Sequence, residues 1–141
     1  MAEQVSEQNK TQILLVEVDV DLGEILSHRL TKRGYKVSLV VTAEEALKLL
    51  DQISFDTVVS EIKLPKMDGI SFLRKVREKQ ADLPVILLTG YATLESAKEA
   101  VRLSAFDYIQ KPLEDIEQLL GPLQKADEYY FEKMPLPHQA A

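Results

Sequence analysis

Ile13-Leu14-Leu15-Val16 runs straight into Glu17-Val18-Asp19. Four consecutive apolar residues ending on acids describe a short strand buried on both faces. Such strands belong to parallel sheets. Four further segments read as strands: Tyr35 to Val41; Asp56 to Ser60, ending at Glu61; Pro84 to Leu88, ending at Thr89-Gly90; and Phe106 to Ile109, leading to Lys111-Pro112.

Helical patterns fill the gaps. Asp21 with Glu24 three residues on reads as a capping box, opening a helix that carries Leu22, Ile25, Leu26 and Leu30 and stops at Gly34. Thr42 with Glu45 opens a second, carrying Ala46, Leu47 and Leu50. Pro65 and Asp68-Gly69 mark a loop before a third, with Ile70, Leu73 and Val76. Thr93 opens a fourth, with Leu94, Ala97, Ala100 and Val101. The fifth is expected from about Leu113. Its stripe of Ile116, Leu119, Leu120, Leu123 and Tyr130 keeps phase across Gly121-Pro122, which predicts a kink rather than a break. Strands alternating with helices require a parallel sheet with helices on both faces and right-handed crossovers. The fold class is α/β, a single doubly wound (βα)5 three-layer sandwich. Residues 1–11 read as a flexible lead-in, 12–133 as the domain and 134–141, with Pro135 and Pro137, as a loose tail.

The composition limits the function classes. The 141 residues suit one domain, and the chain is 45% hydrophobic and 28% charged, an ordinary globular balance. With no cysteine there is no disulfide, thiolate metal site or cysteine nucleophile. His28 and His138 cannot build a histidine metal cluster, and His28 reads as solvated on a polar helix face. A net charge of −6 disfavours direct nucleic-acid binding. No segment has the ~20 apolar residues of a membrane helix, and the polar first residues are not a signal peptide. The cytoplasm is the simplest location.

In doubly wound sheets ligands sit at the carboxyl ends of the strands. There the sequence places Glu17-Val18-Asp19, Glu61, Thr89 and Lys111: acids, a hydroxyl and a lysine from distant parts of the chain. Any one of them alone would read as a helix cap or a solvated loop charge. Together they predict a site.

These segments resemble the receiver domain of bacterial two-component response regulators, the CheY-like fold. The resemblance covers about residues 11 to 125 and rests on Ile13 to Asp19, on Asp56 through Leu64-Pro65-Lys66-Met67-Asp68-Gly69, on Pro84 through Thr89-Gly90-Tyr91-Ala92, and on Phe106 to Pro112. The stretch from Leu88 to Pro112 is most like receivers that precede transcription-activator modules. The resemblance implies a flavodoxin-like sheet of order 2-1-3-4-5. It also implies an aspartate after the third strand that accepts a phosphoryl group from a histidine kinase. Two adjacent acids after the first strand would hold magnesium, and a threonine and a lysine would bind the phosphoryl oxygens. Thr89 and Lys111 match those phosphate-contact positions, Tyr108 the switch aromatic, and Lys111-Pro112 the pair usually joined by a cis bond.

Three positions depart from the family pattern. The acceptor position is Glu61, the second acid is Val18, and Ser104 stands where glycine is usual. Glutamate places its carboxylate about 1.5 Å further from the backbone. In-line attack loses about a hundredfold for a misplacement of ~1 Å. Val18 removes an oxygen ligand from a site that needs several, which leaves Glu17, with Asp19, a weak metal candidate and magnesium poorly held. The chain therefore reads as a pseudo-receiver that is poorly phosphorylated or not phosphorylated. Glu61 reaches further toward Lys111 than an aspartate would. Either a Glu61–Lys111 contact holds one signalling state without phosphate, or the site has drifted and has no set state.

Thr89 could instead satisfy backbone groups, and Tyr108 could be an ordinary surface aromatic. Of Tyr129-Tyr130-Phe131, Tyr130 reads as core. The implied working surface is the face of the fourth helix, fifth strand and fifth helix, with a protein partner, a histidine kinase or an output domain. The leading function is a non-enzymatic interaction module in two-component signalling. A working phosphoacceptor is the second reading. A small flavodoxin-like ligand binder is the third, disfavoured because no phosphate-cradling loop follows the first strand.

Overall fold

The computed structural model describes residues 11–133, with side chains through Tyr129. Five strands, β1 (Gln12–Val16), β2 (Lys36–Val40), β3 (Thr57–Ser60), β4 (Val85–Thr89) and β5 (Asp107–Gln110), form one parallel sheet of order β2-β1-β3-β4-β5. Between and after them lie α1 (Val20–Lys32), α2 (Ala43–Gln52), α3 (Gly69–Lys79), α4 (Leu94–Arg102) and α5 (Glu117–Lys133).

Alternation along each strand divides the core in two. Leu14, Val16, Val58, Val85 and Leu87 point to a layer with Ala46 and Leu50 of α2, Phe72, Leu73 and Val76 of α3, and Ala100 of α4. Ile13, Leu15, Val59, Ile86 and Leu88 point the other way, against Leu26 and Leu30 of α1 and Leu119, Leu120 and Leu123 of α5. Each large aliphatic side chain fully buried in this way contributes about 1.5–3 kcal/mol. The doubly wound three-layer sandwich expected from the sequence is the fold observed, including its sheet order.

Local details correct the sequence reading. α1 is capped by Asp19, whose Oδ1 accepts from Leu22 N at 3.1 Å, and not by Asp21, which lies in the first turn. Asp19 is the residue still in extended backbone, so only it can reach forward to a free amide. The Thr42 cap accepts from Glu45 N, but Glu45 returns its bond to Val41 N, so that capping box is displaced by one residue. α5 begins at Glu117 and not near Leu113. Before it, Asp115 accepts from Glu117 N and Gln118 from Glu114 N, and these local bonds delay the helix. The helix then runs through Pro122. Ile25, Leu94 and Val101, read as core-facing, are exposed. Gly34 ends α1 with φ of 97°, a backbone angle that glycine adopts without steric cost. Residues 1–10 of the lead-in, the tail beyond Lys133 and the side chain of Tyr130 lie outside the described residues.

Candidate functional site

The parallel register brings the carboxyl ends of β1, β3, β4 and β5 together. Glu61 N bonds Val16 O, Lys111 N bonds Thr89 O, and Glu17 N bonds Val40 O, so each side chain leaves the sheet at the same edge. Glu17 (1% exposed), Glu61 (4%) and Thr89 (0%) are buried there. The Lys111–Pro112 peptide bond is cis.

Lys111 organises the pocket. Its Nζ donates to Glu17 Oε1 and to Glu61 Oε1, each at 2.8 Å. Glu61 is surrounded by donors. Its Oε2 accepts from Ile62 N at 2.6 Å and Lys63 N at 3.1 Å. Its Oε1 also accepts from Gly90 N at 3.4 Å, and the neighbouring Thr89 side chain helps to hold the same carboxylate in its charged form. Burial by itself would push this carboxyl up; the bonds from Lys111, Thr89, Lys63 and Ile62 outweigh it and hold the group below its ordinary value. Burial likewise pushes Lys111 down, but the bonds and charges of Glu17 and Glu61 raise it overall. Glu61 and Lys111 are therefore each held in the charged form, as an ion pair that Glu17 shares through its own bond to Lys111.

The loop after β3 folds closely over Glu61. Gly69 N donates to Ile62 O at 2.7 Å, and a Cβ at Gly69 would run into the Glu61 carbonyl. Across the mouth, Lys63 Nζ lies 4.5 Å from the centre of the Tyr91 ring, while Tyr91 N donates to Thr89 Oγ1. Tyr108, on β5, packs its ring against the core and shares a 2.6 Å hydrogen bond with Ser96 Oγ on α4.

Not every expected site residue joins the pocket. Val18 is exposed and Asp19 turns outward to cap α1. Glu17 Oε2 accepts from Asp19 N, so both Glu17 oxygens are engaged. The magnesium ion implied by the family resemblance does not fit this donor set. At the two positions where the family has acids stand an engaged glutamate and an outward valine, and the acceptor carboxylate is bound to lysine and amides. Among the described residues, no three His, Cys, Asp or Glu side chains are grouped to hold a metal ion. His28 is exposed on α1. Ser104 adopts φ of 59°, the left-handed angle that explains why glycine is usual in the family; serine there costs about 1 kcal/mol.

The sequence reading missed two polar residues. Arg77 of α3 donates to four main-chain carbonyls, and Asp127 of α5 sits against Tyr35. Both lie four residues after a core leucine, Leu73 and Leu123, so a charge in phase with an apolar stripe was the available signal.

Comparison with known proteins agrees with this geometry. A family model described as "Response regulator receiver domain" matches residues 13–123. The transcriptional regulatory protein ZraR of Escherichia coli is 35% identical over 81% of the chain and 26% of its own length. Response regulator protein FleR of Pseudomonas aeruginosa is 41% identical over 73% of the chain and 22% of its own length. The chain thus spans about a quarter of these regulators. A CheY-like receiver domain structure from Methanospirillum hungatei superposes with a TM-score of 0.82 at 31% identity, covering 88% of this chain and 99% of that one.

Proposed function

The chain belongs to the response regulator receiver domain family, and on that premise we propose that it is a pseudo-receiver, a two-component signalling module in which Glu61 permanently takes the place of a phosphoryl group. The observation that carries this reading is the donor set around the Glu61 carboxylate. Lys111 Nζ and the main-chain amides of Ile62, Lys63 and Gly90 converge on it, with the Thr89 side chain beside them. The threonine and lysine are the groups the family uses to bind phosphoryl oxygens. In this chain they are already engaged by a side-chain anion.

Phosphoryl transfer to Glu61 would have to strip Lys111 and three main-chain hydrogen bonds from the nucleophile, without a fitting metal site to stabilise the charge that builds up. The module therefore acts by binding. Tyr108 packs inward and is tied to α4 through Ser96, which couples the pocket edge to the face of α4, β5 and α5. On that face Leu94 and Val101 are 73% and 79% exposed, apolar area that suits a protein partner such as a kinase or an output domain. The cytoplasm is the compartment in which such partners would be met.

The test is incubation with acetyl phosphate and magnesium, read by intact mass. We expect no phosphoryl adduct on the native chain and none on Glu61→Asp alone, but measurable labelling of Glu61→Asp/Val18→Asp. Efficient magnesium-dependent labelling of Glu61 itself would overturn the proposal in favour of a working phosphoacceptor.

A further inference from the structure

We propose that Arg77 is a positioning residue that fixes the carboxyl end of α4, and with the Tyr108–Ser96 bond sets the placement of the exposed Leu94–Val101 ridge. The inference is independent of what Glu61 replaces. It rests on the reading of α4 as a docking face only for its consequence.

α4 has little else to hold it. It is nine residues long and Ala100 is its one buried residue, so apolar packing defines its position poorly. A half-exposed Arg74 Nη2–Glu99 Oε1 pair at 3.4 Å adds a weak mid-helix link to α3, and shorter polar ties at the two ends do the rest. Near the amino end, Ser96 Oγ meets Tyr108 Oη at 2.6 Å. At the carboxyl end, Arg77 Nε donates to Leu103 O at 2.9 Å and Nη2 to Ser104 O at 2.9 Å. The same guanidinium reaches back through Nη1 to Gln80 O at 3.2 Å and Leu83 O at 2.8 Å.

The acceptors explain why an arginine stands here. Leu103 caps α4 and Gln80 caps α3, so two helix carboxyl ends, each with unpaired carbonyls and partial negative charge, converge on one cation. Leu83 leads into β4, and Ser104 is the left-handed turn into β5. One planar fork therefore registers α3, the entry to β4 and the α4–β5 turn against each other. A lysine has the charge but is a compact ammonium, and it cannot span four acceptors in that plane. Since Arg77 is anchored on a helix whose inner face is buried in the core, it is the fixed end of the tie and α4 is the held end.

Amide hydrogen exchange on the full chain tests this, with Arg77→Met, Arg77→Lys and the native protein compared. Loss of the fork should raise exchange at Leu103, Ser104 and Ala105 about tenfold or more in Arg77→Met. Resonances of Ser96 and Tyr108 should shift, while Val16 and Ser60 stay within about twofold of native, as expected for local opening. Arg77→Lys should fall nearer to Arg77→Met than to native, and it decides the matter if Arg77→Met does not fold. Native exchange at these three amides in Arg77→Lys would overturn the proposal. So would an equal rise at Val16 and Ser60, which would make Arg77 a general prop rather than the anchor of one helix.

Discussion

Glu61 and Asp127 are both carboxylates drawn inside the protein at opposite ends of one sheet, and they titrate in opposite directions. Glu61, at the carboxyl ends of the strands, meets a lysine and several amides and is held below its ordinary value. Asp127 faces the amino ends, where Tyr35 precedes β2 and Asp56 precedes β3. Burial, together with the negative charge of Asp56, raises it to about 6, against a partly opposing bond from Tyr35. That bond is long, 3.4 Å from Tyr35 Oη to Asp127 Oδ2, and the buried Oδ1 has no hydrogen-bond partner among the described residues. Burial acts alike at both ends. The counter-charge decides the sign: Lys111 supplies one at the pocket end, while the groups that shift Asp127 among the described residues are acids and a tyrosine.

Removing that counter-charge should have the largest effect. Lys111→Met leaves Glu17 and Glu61 buried and facing each other, which should cost about 3–5 kcal/mol in urea denaturation at neutral pH. Adding Glu17→Gln and Glu61→Gln should recover part of it. A loss below about 1 kcal/mol would erase the distinction between the two ends.

The opposite end gives a smaller effect of opposite sign. Asp127→Asn should stabilise the fold at pH 7.5 by roughly 1–2 kcal/mol after allowance for partial solvent screening. The sign follows from linkage. A group raised in the folded state contributes stability that is fully present below its unfolded value of 3.8 and is lost as pH rises through about 6. Glu61, being lowered, contributes above the ordinary carboxylate range and loses that contribution as pH falls through its folded value. Denaturation at pH 7.5 and pH 5 should therefore show the advantage of Asp127→Asn shrinking on the acid side. An unchanged advantage would mean that Asp127 does not titrate between those values.

The smallest effect sharpens the same contrast. Lys79 Nζ lies 3.0 Å from Asp51 Oδ1, close to the Lys111 distances, but both side chains are more than half exposed. Lys79→Gln should change stability by less than about 0.5 kcal/mol by the same measurement, because water replaces the partner.

Much of the fold was legible because its signals are local. The apolar runs at 13–16 and 85–88, the caps Thr42 and Thr93 and the turn glycine Gly34 each act over a few residues. Ile25, Leu94 and Val101 were misplaced because an apolar residue near a helix's edge has no local mark of which way it faces. The site's membership was legible as residue types at strand ends, but its bonding was not. The sequence offered Glu17, Val18 and Asp19 as one acidic group, while the structure sends them three separate ways.

The amino-acid sequence alone determined the alternating sheet, its five strands and the presence of glutamate, threonine and lysine where relatives handle phosphate. Tertiary structure decided that Lys111 pairs with both Glu17 and Glu61, 94 and 50 residues away, that Asp127 Oδ1 is buried with no hydrogen-bond partner among the described residues, and that Arg77 ties down α4. Periodicity and capping depend on neighbours in the chain. The charge state of a buried group depends on what the fold brings within hydrogen-bonding distance, and that is settled only when distant strands are in register.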